Sequence, residues 1–252
     1  MFRPCVLIPT YDNPRTIRRV VEAVREHGAD VVVVDDGSGA EGKNACAELA
    51  ADGLAHVVHR PSNGGKGAAV KTGFEAAFEL GYSHALQVDA DGQHNLGDLP
   101  RFLEVAEQNP DALVLGCPVF DETAPKGRQI ARKISIFWVN LETGGPVIVD
   151  PMCGFRVYPL ADAVAVQVPS QMMDFDPEIA VRLVWRGLPV INLETRVRYM
   201  GSDEGGVSHF HLFKDNLLIS WMHTRLCVEK IFGLMLGRGR YRGTVRELGP
   251  GA

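Results

Sequence analysis

The chain has 252 residues, of which 46% are hydrophobic and 23% charged, and its formal net charge is −5. That length suits one large α/β domain or two small ones, and the composition is ordinary for a globular enzyme. The negative charge argues against a general nucleic-acid binder, and with no run of about 18 apolar residues no membrane-spanning helix is predicted.

The first predicted element is a short buried strand, CVLIPT, ending near Pro9. The opening MFRPCVLIPTYDN lacks the charged, apolar and small-residue order of a secretory leader. NPRTIRRVVEAVREHG predicts a helix, with Asn13 as N-cap, Pro14 in the first turn and Gly28 as its stop. VVVVDDGSG is a strand that breaks into an acidic, glycine-rich loop, and NACAELA a second helix. HVVHR, PSNGGKG and AAVKTGFEAAFELG read as strand, tight loop and helix. HALQVDADG, DLPRFLEVAEQ and DALVLGC follow as strand, helix and strand. Alternating strands and helices predict a mostly parallel central sheet flanked by helices. The apolar runs fit strands buried on both faces.

The later part is less regular. KGRQIARKISIFWVN predicts a basic amphipathic helix, GGPVIVDPMCGFRVYP loop and strand, FDPEIAVRLVWRG a helix, and LPVINLETRVRY a strand. GSDEGGVSHFH is a polar loop, and LFKDNLLISWMHTRLCVEKIFGLML a long apolar-rich helix. From Ser208 onward seven Lys/Arg stand against three Asp/Glu, a local balance of +4, so the preceding residues carry −9. A basic tail on an acidic body points to an anionic surface or partner. The five cysteines, Cys5, Cys46, Cys117, Cys153 and Cys227, are scattered with no CxxC pair, which predicts reduced thiols in a cytoplasmic protein.

Ligands of parallel sheets gather at the carboxyl ends of the strands. Pro9-Thr10-Tyr11-Asp12, Asp35-Asp36-Gly37-Ser38 and Asp89-Ala90-Asp91 all sit at such ends. Asp89 and Asp91, two apart on an extended segment, point to one side and repel each other. Magnesium or manganese offsets that repulsion and takes one or two carboxylates plus substrate phosphates. Gln93 offers a further oxygen. The same residues also read as a turn closed by Asx bonds. NGGKGAAVKTG fails the P-loop pattern, because Lys66 is followed by Gly67 and Ala68 with no hydroxyl. What remains is a glycine-rich turn opening a helix with Lys66 near its N-terminus, suited to an anion or simply to solvent.

VLIPTYDN, VVVVDDGS, NGGKGAAVKTG, VDADGQH, DPMCGFRVY and FDPEIAVRL occur in this order across roughly residues 4 to 200. Together they resemble family 2 glycosyltransferases of the GT-A fold, in the branch similar to dolichyl-phosphate mannose synthases. The resemblance implies a nucleotide-sugar donor (UDP or GDP), inverting transfer, a Mn or Mg cofactor, and a lipid-linked or other hydroxyl or phosphate acceptor such as polyprenyl phosphate. It implies that Pro9, Tyr11 and Asp12 line the nucleotide site, that Asp35 and Asp36 contact base and ribose, and that Lys66 and Gly67 flank the nucleotide. Asp89, Ala90 and Asp91 meet the diphosphate, with Asp89, Asp91 and Gln93 as metal ligands. The family usually has Asn where this chain has Asp12, which adds a negative charge near the donor.

Arg128, Arg132 and Lys133 form a basic stretch that serves a phosphate or lies on a solvated face. Arg156, in the element resembling the family's acceptor-side GFR, is a catalytic candidate or a structural partner of Asp150. A hydroxyl acceptor needs a general base. Asp176 is the first candidate, with Asp174 on the same side of an extended lead-in and Glu178 beginning the helix. Asp176 also reads as an N-cap, and a phosphate acceptor would leave it an orienting role. His209 and His211 are a weaker metal pair, and Gly205 and Gly206 read as hinges of a closing loop. The expected organisation is a GT-A catalytic domain over 1–207, with loop, amphipathic helix and basic tail over 208–252. That last part packs on the domain or on the inner face of a membrane, through 213–242. The rival readings are a sugar-1-phosphate nucleotidyltransferase, whose glycine-rich, arginine-containing first loop is missing after VLIP, and a non-catalytic nucleotide-sugar-binding protein.

Overall fold

The structure, a computed structural model, describes residues 1–119, 126–196, 212–237 and 241–248, without side-chain detail at 126–131 and 212–213. In chain order the elements are β1 (Pro4–Thr10), α1 (Ile17–Glu26), β2 (Val31–Asp35), α2 (Ala40–Ala51), β3 (His56–His59), α3 (Lys66–Glu79), β4 (His84–Gln87), α4 (Leu99–Gln108), β5 (Leu113–Val119), α5 (Lys126–Thr143), β6 (Arg156–Pro159), α6 (Leu160–Ala165), α7 (Phe175–Arg186), β7 (Val190–Arg196) and α8 (Leu212–Met235). The strands form a seven-stranded sheet in the order β3-β2-β1-β4-β6-β5-β7. All neighbours run parallel except β6, which is antiparallel to both β4 and β5.

Side chains alternate across each strand, so both faces of the sheet need cover. Cys5 and Leu7 of β1, with Val32 and Val34 of β2, pack toward α3, α6 and α7. Val6, Ile8, Val31 and Val33 pack toward α1, α2 and α4. Each fully buried Val, Leu or Ile contributes about 1.5–3 kcal/mol relative to exposure. The result is a three-layer sandwich whose parallel strands β1, β2, β3 and β4 end on one edge.

Three local expectations are corrected. Asn13 does not cap α1 with its side chain. Its carbonyl accepts from Thr16 and Ile17, while its amide donates to the Tyr11 carbonyl at 2.9 Å, so a turn precedes the helix. α2 begins at Ala40, before the expected Asn44, because the Gly39 N–H is held at 2.8 Å by Asp12 Oδ1. α6, which was not foreseen, is a short helix directly after β6.

Candidate active site

β1, β2 and β4 deliver the first part of the site. Asp12 is the non-glycine residue with positive φ among those described, at 50°. Asn and Asp tolerate that left-handed conformation better than most residues, which fits an acid where the resemblance led to Asn. The Asp12 N–H donates to Ser38 Oγ at 2.9 Å, and its carboxylate receives Gly39, so the residue stitches the end of β1 to the loop after β2. Asp35 and Asp36 are buried, and protein groups occupy both. Asp35 receives the Ser38 N–H and the His59 ring, each at 2.9 Å. Burial opposes the Asp35 charge, but those hydrogen bonds outweigh it and hold the carboxyl below its ordinary range. Asp36 receives Arg60 and the N–H groups of Gly64 and Gly65, the latter at 2.8 Å. Asp36 thus shapes the turn that opens α3. A depression lined by Lys43, Asn44, Ala47, His59, Arg60 and Pro61 opens beside this pair.

That turn fixes Lys66. Gly65 has φ of +95°, and a Cβ there would meet Met172 Sδ at 2.3 Å, so the backbone requires glycine. The Ala68 N–H donates to the Gln171 carbonyl, and Lys71 Nζ to the carbonyls of Val168 and Ser170. The start of α3 is thereby packed against the segment leading into α7. Lys66 Nζ lies 2.7 Å from Asp89 Oδ1 and 2.8 Å from Asp176 Oδ2. Burial disfavours the Lys66 charge, but the two carboxylates outweigh it and raise its pKa.

The two acids of the D-x-D stretch are in different states. Asp89 is engaged by Lys66, and His94 Nε2 lies 3.4 Å from its other oxygen. Burial opposes its charge, yet Lys66 and then His94 hold its pKa well below the carboxylate range. Asp91 carries a hydrogen bond from the Gln93 N–H at 3.0 Å and no cationic partner among the described residues. Burial and the neighbouring Asp89 charge push its pKa up. Such a carboxyl, with the Gln93 amide close by in sequence, suits a hard cation that brings phosphate oxygens of its own. The donor chemistry therefore fits Mn or Mg. Among the described residues no group of three His, Cys, Asp or Glu gathers to hold a metal without substrate.

Gly154 presses on this pair, since a Cβ there would lie 2.5 Å from Asp89 Oδ2. Its turn is held from both ends. Asp150 Oδ1 receives the N–H groups of Met152 and Cys153, each at 2.8 Å, and its other oxygen pairs with Arg132 at 2.8 Å. Arg156 is fully buried and donates to the carbonyls of Pro151, Cys153 and Asp176. Arg156 therefore lies behind the Gly154 turn and the start of α7, tying the two together, and Asp150 has Arg132 rather than Arg156 as its partner. A guanidinium's rigid fork of donors suits a cage of carbonyls.

The FDPE element differs from the extended lead-in expected for it. α7 begins at Phe175, so Asp176 and Glu178 lie in its first turn and Asp174 at its N-cap position. On a helix residues two apart diverge, and Asp174 and Asp176 do not share a side. Asp174 receives Ser170 Oγ at 2.6 Å and the Met172 N–H at 3.1 Å. Glu178 is fully buried and holds the Ser170 N–H, Arg182 and Arg225. Asp176 alone meets the site, between Lys66 and Gln87, whose Nε2 donates to it at 3.2 Å. Gln87 and His94 were missed in the sequence. Strand parity could have found Gln87, which is two residues before Asp89 and so on the same side. Lys133 is exposed, while the Arg128 side chain, Gly205, Gly206, His209 and His211 lie outside the described residues.

The profile of the Glycosyl transferase family 2 matches residues 5–162. The chain belongs to this glycosyltransferase family. Among curated relatives, the family 2 chain is 41% identical over 168 residues to an undecaprenyl-phosphate mannosyltransferase of Micrococcus luteus, covering 62% of this chain and 66% of that protein. It is 37% identical over 117 residues to a polyprenol monophosphomannose synthase of Mycolicibacterium smegmatis, covering 44% of each. The matches thus span less than two thirds of either relative's length. Among solved structures, glucosyl-3-phosphoglycerate synthase of Mycobacterium tuberculosis in complex with phosphoglyceric acid superposes with a TM-score of 0.67 at 16% identity, covering 90% of this chain and 80% of that one. This glycosyltransferase has the GT-A fold.

Proposed function

We propose that the chain is an inverting glycosyltransferase that moves a sugar from a UDP- or GDP-sugar to a lipid-linked phosphate, such as polyprenyl phosphate, with a divalent cation. The observation that carries the acceptor class is the absence of an open carboxylate at the FDPE element. Asp174 and Glu178 are spent on the 170–172 segment and on arginines. The Asp176 side chain is 5% exposed and bracketed by Lys66 and Gln87. An alcohol would need a base within hydrogen-bond reach, whereas a phosphate is already an anionic nucleophile. The names of the two relatives, both concerned with polyprenyl phosphates, support the same acceptor class.

In this reading a phosphate oxygen of the acceptor attacks the anomeric carbon in line. The bond to the diphosphate oxygen breaks with inversion, and the nucleoside diphosphate leaves. Asp91 and Gln93 would hold the cation, which supplies charge neutralisation of that leaving group. Lys66 adds a fixed positive charge beside it, and Asp89 and Asp176 keep the ammonium in place. Asp35 and Asp36, being occupied, act by presenting His59, Arg60 and the Gly64–Gly65 turn to the nucleotide.

A thermal-shift panel of UDP- and GDP-sugars with and without Mn²⁺ tests the donor. Metal-dependent stabilisation by one nucleotide class is the expected result. Product analysis then separates the rival chemistry. A transferase releases nucleoside diphosphate, whereas consumption of added pyrophosphate to give nucleoside triphosphate and sugar 1-phosphate, or binding with no turnover, would overturn the reading.

A further inference from the structure

α8 is apolar on two opposite sides. Ile219, Met222 and Leu226 are buried against the fold, while Leu217, Trp221, Val228, Ile231 and Met235 are exposed, Trp221 at 64% and Met235 at 76%. The exposed residues recur at helical spacing along one stripe. A helix apolar on both sides is normally covered on both sides, and here the described residues cover one. α5 also turns apolar side chains outward, with Ile134, Phe137, Trp138 and Leu141 exposed while Ser135, Val139 and Glu142 are buried. The two helices are clamped together. His223 Nδ1 lies 2.9 Å from Glu142 Oε1, the Trp138 ring stacks on His223, and Lys230 Nζ donates to the Leu141 carbonyl at 2.6 Å. Their outward stripes therefore adjoin as one platform.

The border of this platform is basic. Lys133 and Lys214 are exposed at its ends and Lys230 lies at the seam. The sequence adds Arg238, Arg240 and Arg242 directly after the helix. Of the acids on α5 and α8, Glu142 and Asp215 are buried and Glu229 pairs with Arg182. We propose that the α5–α8 platform lies flat on an anionic lipid bilayer, its apolar stripes at the acyl boundary and its lysines among the headgroups. Among the described residues no helix is long and apolar enough to cross a membrane, which fits a surface-lying pair. A second copy docked on the same face would set two basic borders against each other, whereas anionic headgroups neutralise them. The proposal rests on the reading above only for the lipid phosphate that the platform would bring to the cleft.

The test is co-sedimentation of the full chain with vesicles of phosphatidylcholine alone or mixed with phosphatidylglycerol, beside a Leu217→Glu/Ile231→Glu variant. Both substitutions are at exposed positions away from the cleft. The parent is expected to bind the anionic vesicles, more weakly at high salt, and the variant to bind at least about tenfold more weakly. Mn²⁺-dependent transfer to a short-chain, water-soluble phosphate is expected to be equal in both. Equal vesicle binding by parent and variant overturns the platform. So does light scattering that finds a dimeric parent and a monomeric variant, which would make the face a self-interface. If vesicle binding behaves as expected while soluble transfer fails in both proteins, the platform stands and the transferase reading falls.

Discussion

Gly154 shows how far a single side chain can matter. An added Cβ would lie 2.5 and 2.8 Å from the two oxygens of Asp89, and the flanking turn, pinned by Asp150 and Arg156, has little room to withdraw. Gly154→Ala is therefore expected to displace Asp89 from Lys66. Misplacement of about 1 Å costs on the order of 100-fold in rate, and overpacking about 1–3 kcal/mol in stability. Steady-state kinetics and a urea melt on the same preparation check both numbers. Asp35 offers a pH test. Its folded pKa is lowered, so its contribution is complete above the unfolded value of about 3.9 and is lost as pH falls through the folded value. Asp35→Asn should thus be less stable than the parent near neutrality, with the gap closing on acidification below that value. A gap that stays constant down to about pH 2 would show that the Asp35 carboxylate is not held as described.

At the scale of elements, Lys66 ties β4, α3 and α7 through two carboxylates. Lys66→Met leaves both of them without their cation and is expected to cost about 3–5 kcal/mol. Combined with Asp176→Asn, the loss should fall short of the sum by about 1 kcal/mol or more, which a double-mutant cycle in urea measures. The same elements mark what could be read without coordinates. Apolar runs alternating with helical periodicity predicted the mostly parallel sheet, and its carboxyl edge brought the DDGS and DAD acids toward one site. The missing part was helix phase and long-range pairing. Whether Asp174 and Asp176 share a side depends on where α7 begins, and it begins at Phe175, three residues before the Glu178 that an extended lead-in would leave as the first helical residue. The burial of Arg156 depends on carbonyls of Pro151 and Asp176, which no spacing rule brings together. Gln87 carries no motif, and only its strand parity with Asp89 marks it in the sequence.

For the whole molecule, both faces of the sheet are sealed. Burial pushes the thiols of Cys5, Cys46, Cys117 and Cys153 up to about 12, and that of Cys227 upward as well. At about pH 8 a thiol of that pKa is thiolate to only about one part in ten thousand. Iodoacetamide should therefore leave these four thiols of the native chain unmodified over minutes and label all five after unfolding in urea, as intact mass will report. Rapid native labelling at any of the four would contradict the packing. The proposed transfer of a sugar from a nucleotide to a phosphate needs no carboxylate base. Its most direct measurement is Mn²⁺-dependent transfer of labelled sugar to polyprenyl phosphate and, in parallel, to the free polyprenol of the same chain length. A glycolipid is expected from the phosphate and none from the alcohol; equal transfer to the alcohol, or transfer to neither, would overturn the proposed chemistry.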